Sequence, residues 1–220
     1  MNCENWIIHP GYLTDSDLLL AYEGAQALVT QEPSCTEQIF RYNMLAAEII
    51  LRQLADIKLL SFTNSRLSSS RSCQTSPYQQ FEQLRVRYQN KISGRILLPA
   101  NAQQLWSQHK YSIMARDVNL YKRIGREVAQ MKPATQYSEL ALLLTQQLSV
   151  RPGPGGIYNA LQHMWGYVSA VDITNNDNMT EWSASELLLK IQLNTLKIKQ
   201  FYLLSSTALS ELYVWIATKP

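Results

Sequence analysis

The sequence predicts an all-α protein, built as a multi-helix bundle of one or two packed helical modules. Apolar residues recur at intervals of three and four residues along most of the chain, the spacing of a helix with one buried face. Proline and glycine are concentrated between these stretches, and no segment alternates polar and apolar residues as a strand would. The chain has 220 residues, 46% of them hydrophobic, which is enough for such a core.

The helix boundaries follow from capping residues and from breaks in the apolar spacing. The first helix is predicted over 15–29, after an acidic and serine-containing cap, and the second over 36–60, opened by Thr36. The serine-rich stretch 61–77 has no such spacing and is predicted to be a linker. The remaining helices are predicted over 78–91, about 100–116, 119–131 (opened by Asp117 or Asn119), 135–149, 157–170 and 181–216, the last range holding one helix or two.

This pattern divides the chain into a helical region over 1–60, a linker over 61–77 and a helical domain over 78–220. No apolar run approaches the roughly 18–20 residues that span a bilayer, and Glu4 stands where a signal peptide would be basic. We therefore expect a cytoplasmic protein with no membrane contact. The three cysteines are far apart and form no Cys-x-x-Cys pair, so we expect no metal site, disulfide or cofactor.

Charge is distributed unevenly along the chain, although the net charge is only +3. Residues 1–60 carry 3 Lys and Arg against 8 Asp and Glu, residues 61–132 carry 12 against 3, and residues 133–220 carry 5 against 6. A basic block between two acidic regions is typical of proteins that bind a polyanion. The alternative is that the basic block neutralises the acidic N-terminal region within the fold.

The basic block contains a stretch, 106–129, in which cations alternate with aromatic residues. Such a stretch can neutralise phosphates and stack on unpaired bases. Alternatively, the aromatic residues are core and the cations form a solvated face, because Tyr121, Ile124 and Val128 have the spacing of a buried stripe. The candidate nucleic-acid-binding residues of this stretch are His109, Lys110, Arg116, Tyr121, Lys122, Arg123 and Arg126.

A second candidate row lies in the predicted helix 157–170. Asn159, His163 and Tyr167 are spaced by four and share one helical face, whereas Leu161 and its neighbours form an apolar face. The three polar residues are candidates for nucleic-acid binding, and His163 is also a candidate acid or base near neutral pH. The alternative for His163 is a hydrogen-bonded residue at the edge of the core. Gly166 predicts a close helix contact or a ligand.

These two stretches resemble the YbgA-like domain of unknown function. The resemblance covers about residues 99–217 and is carried by the order of three motifs. They are His109-Lys110-Tyr111, then Tyr121-Lys122-Arg123-Ile124-Gly125-Arg126-Glu127-Val128-Ala129, then Asn159-Ala160-Leu161-Gln162-His163-Met164-Trp165-Gly166-Tyr167.

The resemblance implies a helical fold and work on nucleobases or nucleic acids, because the family occurs near photolyase genes or fused to thiouracil-desulfidase-type domains. Arg116 and Gln200 stand where the family commonly has histidines. This departure favours a binding surface over a catalytic centre.

The N-terminal region, 1–60, is similar to the opening of phage-type pyrimidine-dimer DNA glycosylases. The similar residues are Trp6 to Leu13 and the following Leu- and Ala-rich helix with Tyr22-Glu23. The resemblance implies an attack by the N-terminal amine, assisted by a glutamate. Glu23 is the candidate for that role, although it lies one position from where the family's glutamate aligns, and Gly24 occupies the aligned place.

From the sequence we expect a nucleic-acid-binding protein without catalytic activity, associated with DNA repair or nucleobase modification. DNA is favoured over RNA as the partner, and a repair or base-modification enzyme is a second kind of partner. One alternative is a pyrimidine-dimer glycosylase/lyase that acts through residues 1–60. The other is a protein–protein interaction module that serves a repair enzyme.

Overall fold

A computed structural model describes residues 6–62, 75–89, 93–132, 137–171 and 181–218. These residues form ten α-helices and two short 3-10 helices and contain no β-strand, which confirms the all-α prediction. The centre of the predicted linker, 63–74, lies outside the described residues. The α-helices are α1 (Asp15–Gln31), α2 (Thr36–Leu51), α3 (Pro77–Tyr88), α4 (Ala102–Met114), α5 (Val118–Gln130), α6 (Ser138–Leu148), α7 (Pro154–Trp165), α8 (Ala184–Ile198), α9 (Phe201–Leu204) and α10 (Ala208–Ala217), and the 3-10 helices are Pro10–Tyr12 and Ser169–Val171.

Side-chain caps set where several helices begin. A free backbone amide in the first turn of a helix needs an acceptor, and a short polar side chain before the helix supplies one. Asp117, one of the two residues proposed to open α5, accepts from the amides of Asn119 and Leu120. The other side-chain caps of this kind are Thr14 on α1, Ser76 on α3, Asn101 on α4 and Ser183 on α8.

The second helix ends at Leu51, earlier than the predicted boundary at 60. Gln53 has a φ of 58°, a left-handed conformation that stops the helix. The chain then runs back along α2, because the Asn43 side chain binds both backbone groups of Leu60. Its amide donates to the Leu60 carbonyl at 2.7 Å and its oxygen accepts from the Leu60 amide at 2.8 Å. Apolar residues of this segment therefore pack without being helical.

The C-terminal stretch, 181–216, forms three helices instead of one or two. α8 ends where Lys199 adopts a left-handed φ of 50°. The short α9 follows and buries Leu203. α10 then carries seven buried residues in ten, so it is the central helix of the bundle. The sequence did not indicate these breaks because apolar residues continue through both of them.

The described parts of the N-terminal and C-terminal regions share one hydrophobic core. α2 packs against α1 and α10, and α10 also contacts α4 and α8. The Tyr12 hydroxyl donates to Gln108 of α4 at 2.7 Å, and the Tyr12 ring meets the edge of Phe81 of α3 at 4.9 Å. The boundaries proposed at residues 60 and 77 stay a prediction. Within the described ranges, no helix is both long and apolar enough to cross a membrane.

A buried cluster of charged side chains joins these regions. Glu48 of α2 is fully buried and accepts from Arg95 at 2.7 and 2.8 Å, from Arg52 at 2.9 Å and from the Ser210 hydroxyl at 2.6 Å. Arg95 also donates to the carbonyls of Leu204 and Ser206. Burial alone would raise the pKa of Glu48, but the two arginines outweigh it and hold that pKa well below its usual range.

His9 extends this cluster and is also buried. Its Nδ1 accepts from the Gly11 amide at 3.0 Å, so the ring proton is on Nε2, which lies 3.4 Å from the Ser210 hydroxyl. Burial lowers the pKa of His9 to about 3, with a smaller opposing effect from Glu48. The folded protein therefore holds a neutral histidine at position 9.

Stability is expected to fall as the pH decreases from 6.5 towards 3. In this range the unfolded chain protonates His9 and the folded chain does not, so acid favours unfolding by about 2 kcal/mol at pH 5. Glu48 adds to the loss below its unfolded pKa. Urea unfolding at pH 7.5 and pH 5 measures the difference. His9→Asn keeps an acceptor for the Gly11 amide but does not titrate, so its difference should be smaller. An equal difference in both proteins would contradict the assignment to His9.

Candidate nucleic-acid interface

The outer face of α5 is basic, and the inner face is buried as the sequence predicts. Ile124 and Val128 are 1% and 2% exposed, which fixes the rotation of the helix. The exposed side consequently presents Lys122, Arg123 and Arg126 together. None of these three forms an ion pair with another residue in the part of the chain that the structure describes. Within the described ranges these three charges therefore face solvent without an ion-pair partner.

Two half-buried aromatic rings lie where α5 packs on α4. Trp106 of α4 and Tyr121 of α5 have ring centroids 5.5 Å apart and planes tilted by 37°. The same indole covers Gly125, where a Cβ would lie 3.7 Å from the ring. At the other end of the contact, the Gln103 amide donates to the carbonyls of Val128 and Met131. α5 is therefore held rigidly, with its basic face beside an aromatic pair.

A second aromatic group lies one helical turn further along α4, around Lys110. The Lys110 ammonium is 4.9 Å from the ring centroid of Tyr111 and 4.8 Å from that of Tyr202. Tyr202, of α9, stacks on Tyr167 with centroids 5.0 Å apart and planes 27° apart. Burial raises the pKa of Tyr111 well above its usual range, and a hydrogen bond to Tyr167 adds to this.

The two groups form one continuous surface. Trp106 and Lys110 are four residues apart on the same helix, so the rise between them is about 6 Å. We call the set Tyr121, Trp106, Lys110, Tyr202 and Tyr167 the aromatic–cation strip. Four of its members are partly exposed or exposed aromatic rings, and the free cations of α5 adjoin one end. Such a surface can bind phosphates at one end and flat aromatic ligands at the other.

The row proposed on the later helix is only partly helical. α7 begins at Pro154 and ends at Trp165, so Asn159 and His163 lie on the helix and Tyr167 lies in the turn after it. The Tyr167 amide donates to the Met164 carbonyl at 3.1 Å, which keeps the turn compact. His163 is exposed and Asn159 is half-buried. Among the described residues, no hydrogen bond from another side chain orients His163.

The glycine of this row does not make the predicted close contact. A Cβ on Gly166 would meet only the His163 carbonyl, at 3.6 Å, because Gly166 is the exposed residue that ends α7. Close approach occurs instead at Gly156, in the first turn of α7. A Cβ there would lie 2.0 Å from the carbonyl oxygen of Ala115, at the end of α4. This contact fixes α7 against α4.

Two predicted nucleic-acid-binding residues are buried and leave the candidate set. The Arg116 side chain is 3% exposed, binds Glu211 at 2.6 Å and donates to the carbonyls of Ser112, Leu148 and Val150. His109 donates through Nδ1 to the Leu105 carbonyl at 3.0 Å, and burial lowers its pKa to about 4. Neither side chain can reach a phosphate, since both are enclosed by the bundle.

Of the groups proposed for a glycosylase activity, the structure describes Glu23 but not the N-terminal amine. Glu23 is exposed on α1, and the N-terminal residues 1–5 lie outside the described part of the chain. His9, from the similar Trp6–Leu13 segment, is buried in the Glu48 cluster. Within the described ranges, no three His, Cys, Asp or Glu side chains are grouped as metal ligands.

Sequence reasoning missed Tyr202, which completes the strip. It follows the break between α8 and α9, and that break has no signal in the apolar spacing. The only available hint was an aromatic pair, Phe201-Tyr202, soon after the basic Lys197 and Lys199. Trp106 begins the stretch 106–129, but its contact with Gly125 and Tyr121 depends on how α5 packs on α4.

The fold and this surface define a class of all-helical protein with a basic helix beside an aromatic–cation strip. Residues 110–210 match the model of a family described as "Protein of unknown function (DUF1722)". This is the YbgA-like family, so the resemblance is confirmed over that range, which is shorter than the 99–217 expected from the motifs. No curated protein and no solved structure matches the chain. The resemblance of residues 1–60 to pyrimidine-dimer glycosylases therefore has no support.

Proposed function

We propose that this protein binds nucleic acid, DNA in preference to RNA, and serves DNA repair or nucleobase modification without catalysing a reaction itself. One observation carries the proposal. Lys122, Arg123 and Arg126 are exposed side by side on a rigidly packed helix, without ion-pair partners among the described residues. The preference for DNA and the repair setting rest on what the YbgA-like resemblance implies.

These cations differ from the three arginines that are buried in ion pairs. Arg52, Arg95 and Arg116 have side chains that are 8%, 8% and 3% exposed, and each is bound to a buried glutamate. Those arginines stabilise the fold. The cations of α5 contribute nothing comparable to folding, and their mutual repulsion is relieved when they neutralise phosphates and release counterions.

The proposal assigns binding, not catalysis, because of where the histidines lie. His9 and His109 are enclosed by the bundle. Burial lowers the pKa of both, so both are neutral near pH 7. His163 is exposed on α7, four residues before Tyr167, and is assigned a contact to the ligand, together with Asn159. Both positions suit hydrogen bonding to a base or a phosphate.

Replacing the three cations of α5 by glutamine is expected to abolish most of the salt dependence of oligonucleotide binding. Each phosphate contact contributes about 0.7–0.9 to the slope of log K against log salt, so the triple variant K122Q/R123Q/R126Q should lose about 2–3 from that slope. Filter binding or fluorescence anisotropy with DNA and RNA oligonucleotides, repeated from low to high salt, measures this.

The matched control is Lys58→Gln, which removes an exposed cation far along the chain from α5. It should leave the slope unchanged. Wild-type binding that does not depend on salt, or a slope that the triple variant leaves intact, would reject the proposal. Circular dichroism of the triple variant should match the wild type, because all three side chains are exposed.

A protein–protein interaction module is the second candidate, and exposed apolar residues on α8 and α9 favour it. Leu189, Leu193 and Phe201 are 55%, 54% and 67% exposed. This candidate predicts that the wild type does not bind oligonucleotides at all. It also predicts that L189S/L193S abolishes co-purification with a repair or base-modification enzyme, while K122Q/R123Q/R126Q does not.

A further inference from the structure

We infer that the Tyr167–Tyr202 stack is a subsite for an unpaired nucleobase, so that the protein prefers single-stranded or locally opened nucleic acid to an intact duplex. This inference rests on the proposed function and specifies its ligand. The Tyr167 ring is covered on one side by Tyr202, at 5.0 Å, and its side chain remains 44% exposed.

The stack is held in place before any ligand arrives. Tyr202 is contacted by the edge of Tyr111, with centroids 6.4 Å apart, and by the Lys110 ammonium at 4.8 Å. Tyr111 is buried and belongs to the rigid α4. A base can therefore add to two rings that are already ordered. Binding then avoids part of the entropy cost of ordering side chains.

An unpaired base is required because of how a duplex presents its bases. In a duplex the flat faces are covered by neighbouring base pairs, and only the edges are accessible in the grooves. A tyrosine face can accept a base only after that base has left its stack, or where no complementary strand is present. A stacked tyrosine that is partly open to solvent thus selects for single strands, bulges or flipped bases.

The α5 cations and this subsite adjoin opposite ends of the aromatic–cation strip. Lys110 lies one turn along α4 from Trp106, which contacts Tyr121 next to the free cations of α5. One strand can therefore contact the α5 cations with its backbone and place a base on Tyr167.

The test compares a single-stranded oligonucleotide with its duplex, using the full chain at one salt concentration. The wild type should bind the single strand more tightly. Tyr167→Leu, which keeps apolar bulk without an aromatic face, should weaken single-strand binding about 5- to 150-fold and so lower the ratio of single-strand to duplex affinity. Tyr167→Phe, which keeps the ring, should bind like the wild type. Val86→Ala, at an exposed apolar position on α3, is the control.

A 2-aminopurine base in the single strand gives a direct readout of stacking. Its fluorescence should be quenched by the wild type and by Tyr167→Phe, but not by Tyr167→Leu. Equal affinity for single strand and duplex, or no effect of Tyr167→Leu, would overturn the inference. If binding then still depended on salt and on the α5 cations, the proposed function would stand without the subsite. Failure to bind any oligonucleotide would overturn both.

Discussion

Replacing Glu48 by alanine is expected to lower the free energy of unfolding by about 3–5 kcal/mol. The cause is the pair of arginines that remain. Arg52 and Arg95 are 8% exposed, so both would stay buried without the carboxylate that neutralises them. The Ser210 hydroxyl would lose its acceptor as well. Such a loss is a large part of the 5–15 kcal/mol by which most domains are stable.

Urea unfolding followed by circular dichroism measures this loss. Asp15→Asn is the matched control, because Asp15 also pairs with Arg52, at 2.9 Å, but its side chain is 62% exposed. Exposed pairs contribute little, so the control should lose less than about 1 kcal/mol. Similar losses in the two variants would show that the Glu48 cluster is not the electrostatic centre of the fold.

The sequence predicts the helices well where local chemistry determines them. Asp117 caps α5, and Ile124 and Val128 fix the rotation that exposes Lys122 and Arg123. These features depend on residues within one or two turns of each other. The basic face of α5 could therefore be predicted without a structure.

Contacts between distant residues could not be predicted in this way. Glu48 and Ser210 are separated by 162 residues, and Arg116 and Glu211 by 95. A buried arginine and a surface arginine look the same in a sequence, so the sequence alone predicts the same role for Arg116 as for the α5 cations. The sequence does not predict Tyr202 as a site residue, because its stacking partner Tyr167 is 35 residues away. A helix break and a stretch outside the described residues lie between the two.

Arg116 has one role in the sequence prediction, a phosphate contact, and another in the structure, a buried ion pair. As a phosphate contact, Arg116 would be dispensable for folding. The structure instead makes it the partner of Glu211, which is fully buried and also accepts from the Trp215 indole. The second Glu211 oxygen has no partner among the described residues. The Arg116 guanidinium is thus the charge that balances this carboxylate.

Arg116→Met is expected to destabilise the fold by about 3–5 kcal/mol, because it leaves the Glu211 carboxylate buried without a counter-charge. The carbonyls of Ser112, Leu148 and Val150 would also lose their donor. Lysine cannot replace this geometry, since one ammonium does not reach three carbonyls and a carboxylate as the planar guanidinium does. Arg116→Lys should therefore recover only part of the loss.

The double variant R116M/E211Q tests whether the loss of stability in Arg116→Met comes from the unpaired Glu211 charge or from lost packing. Glutamine removes the unpaired charge and still accepts from Trp215, so the double variant should be more stable than Arg116→Met alone. Urea unfolding of Arg116→Met, Arg116→Lys and R116M/E211Q, each compared with the wild type, measures these losses. Oligonucleotide binding is measured below the unfolding transition. If Arg116→Met kept its stability and instead lowered the salt slope by about 0.7–0.9, Arg116 would be a phosphate contact and its buried pairing with Glu211 would be wrong. A destabilised variant with an unchanged slope would leave phosphate binding to α5 alone.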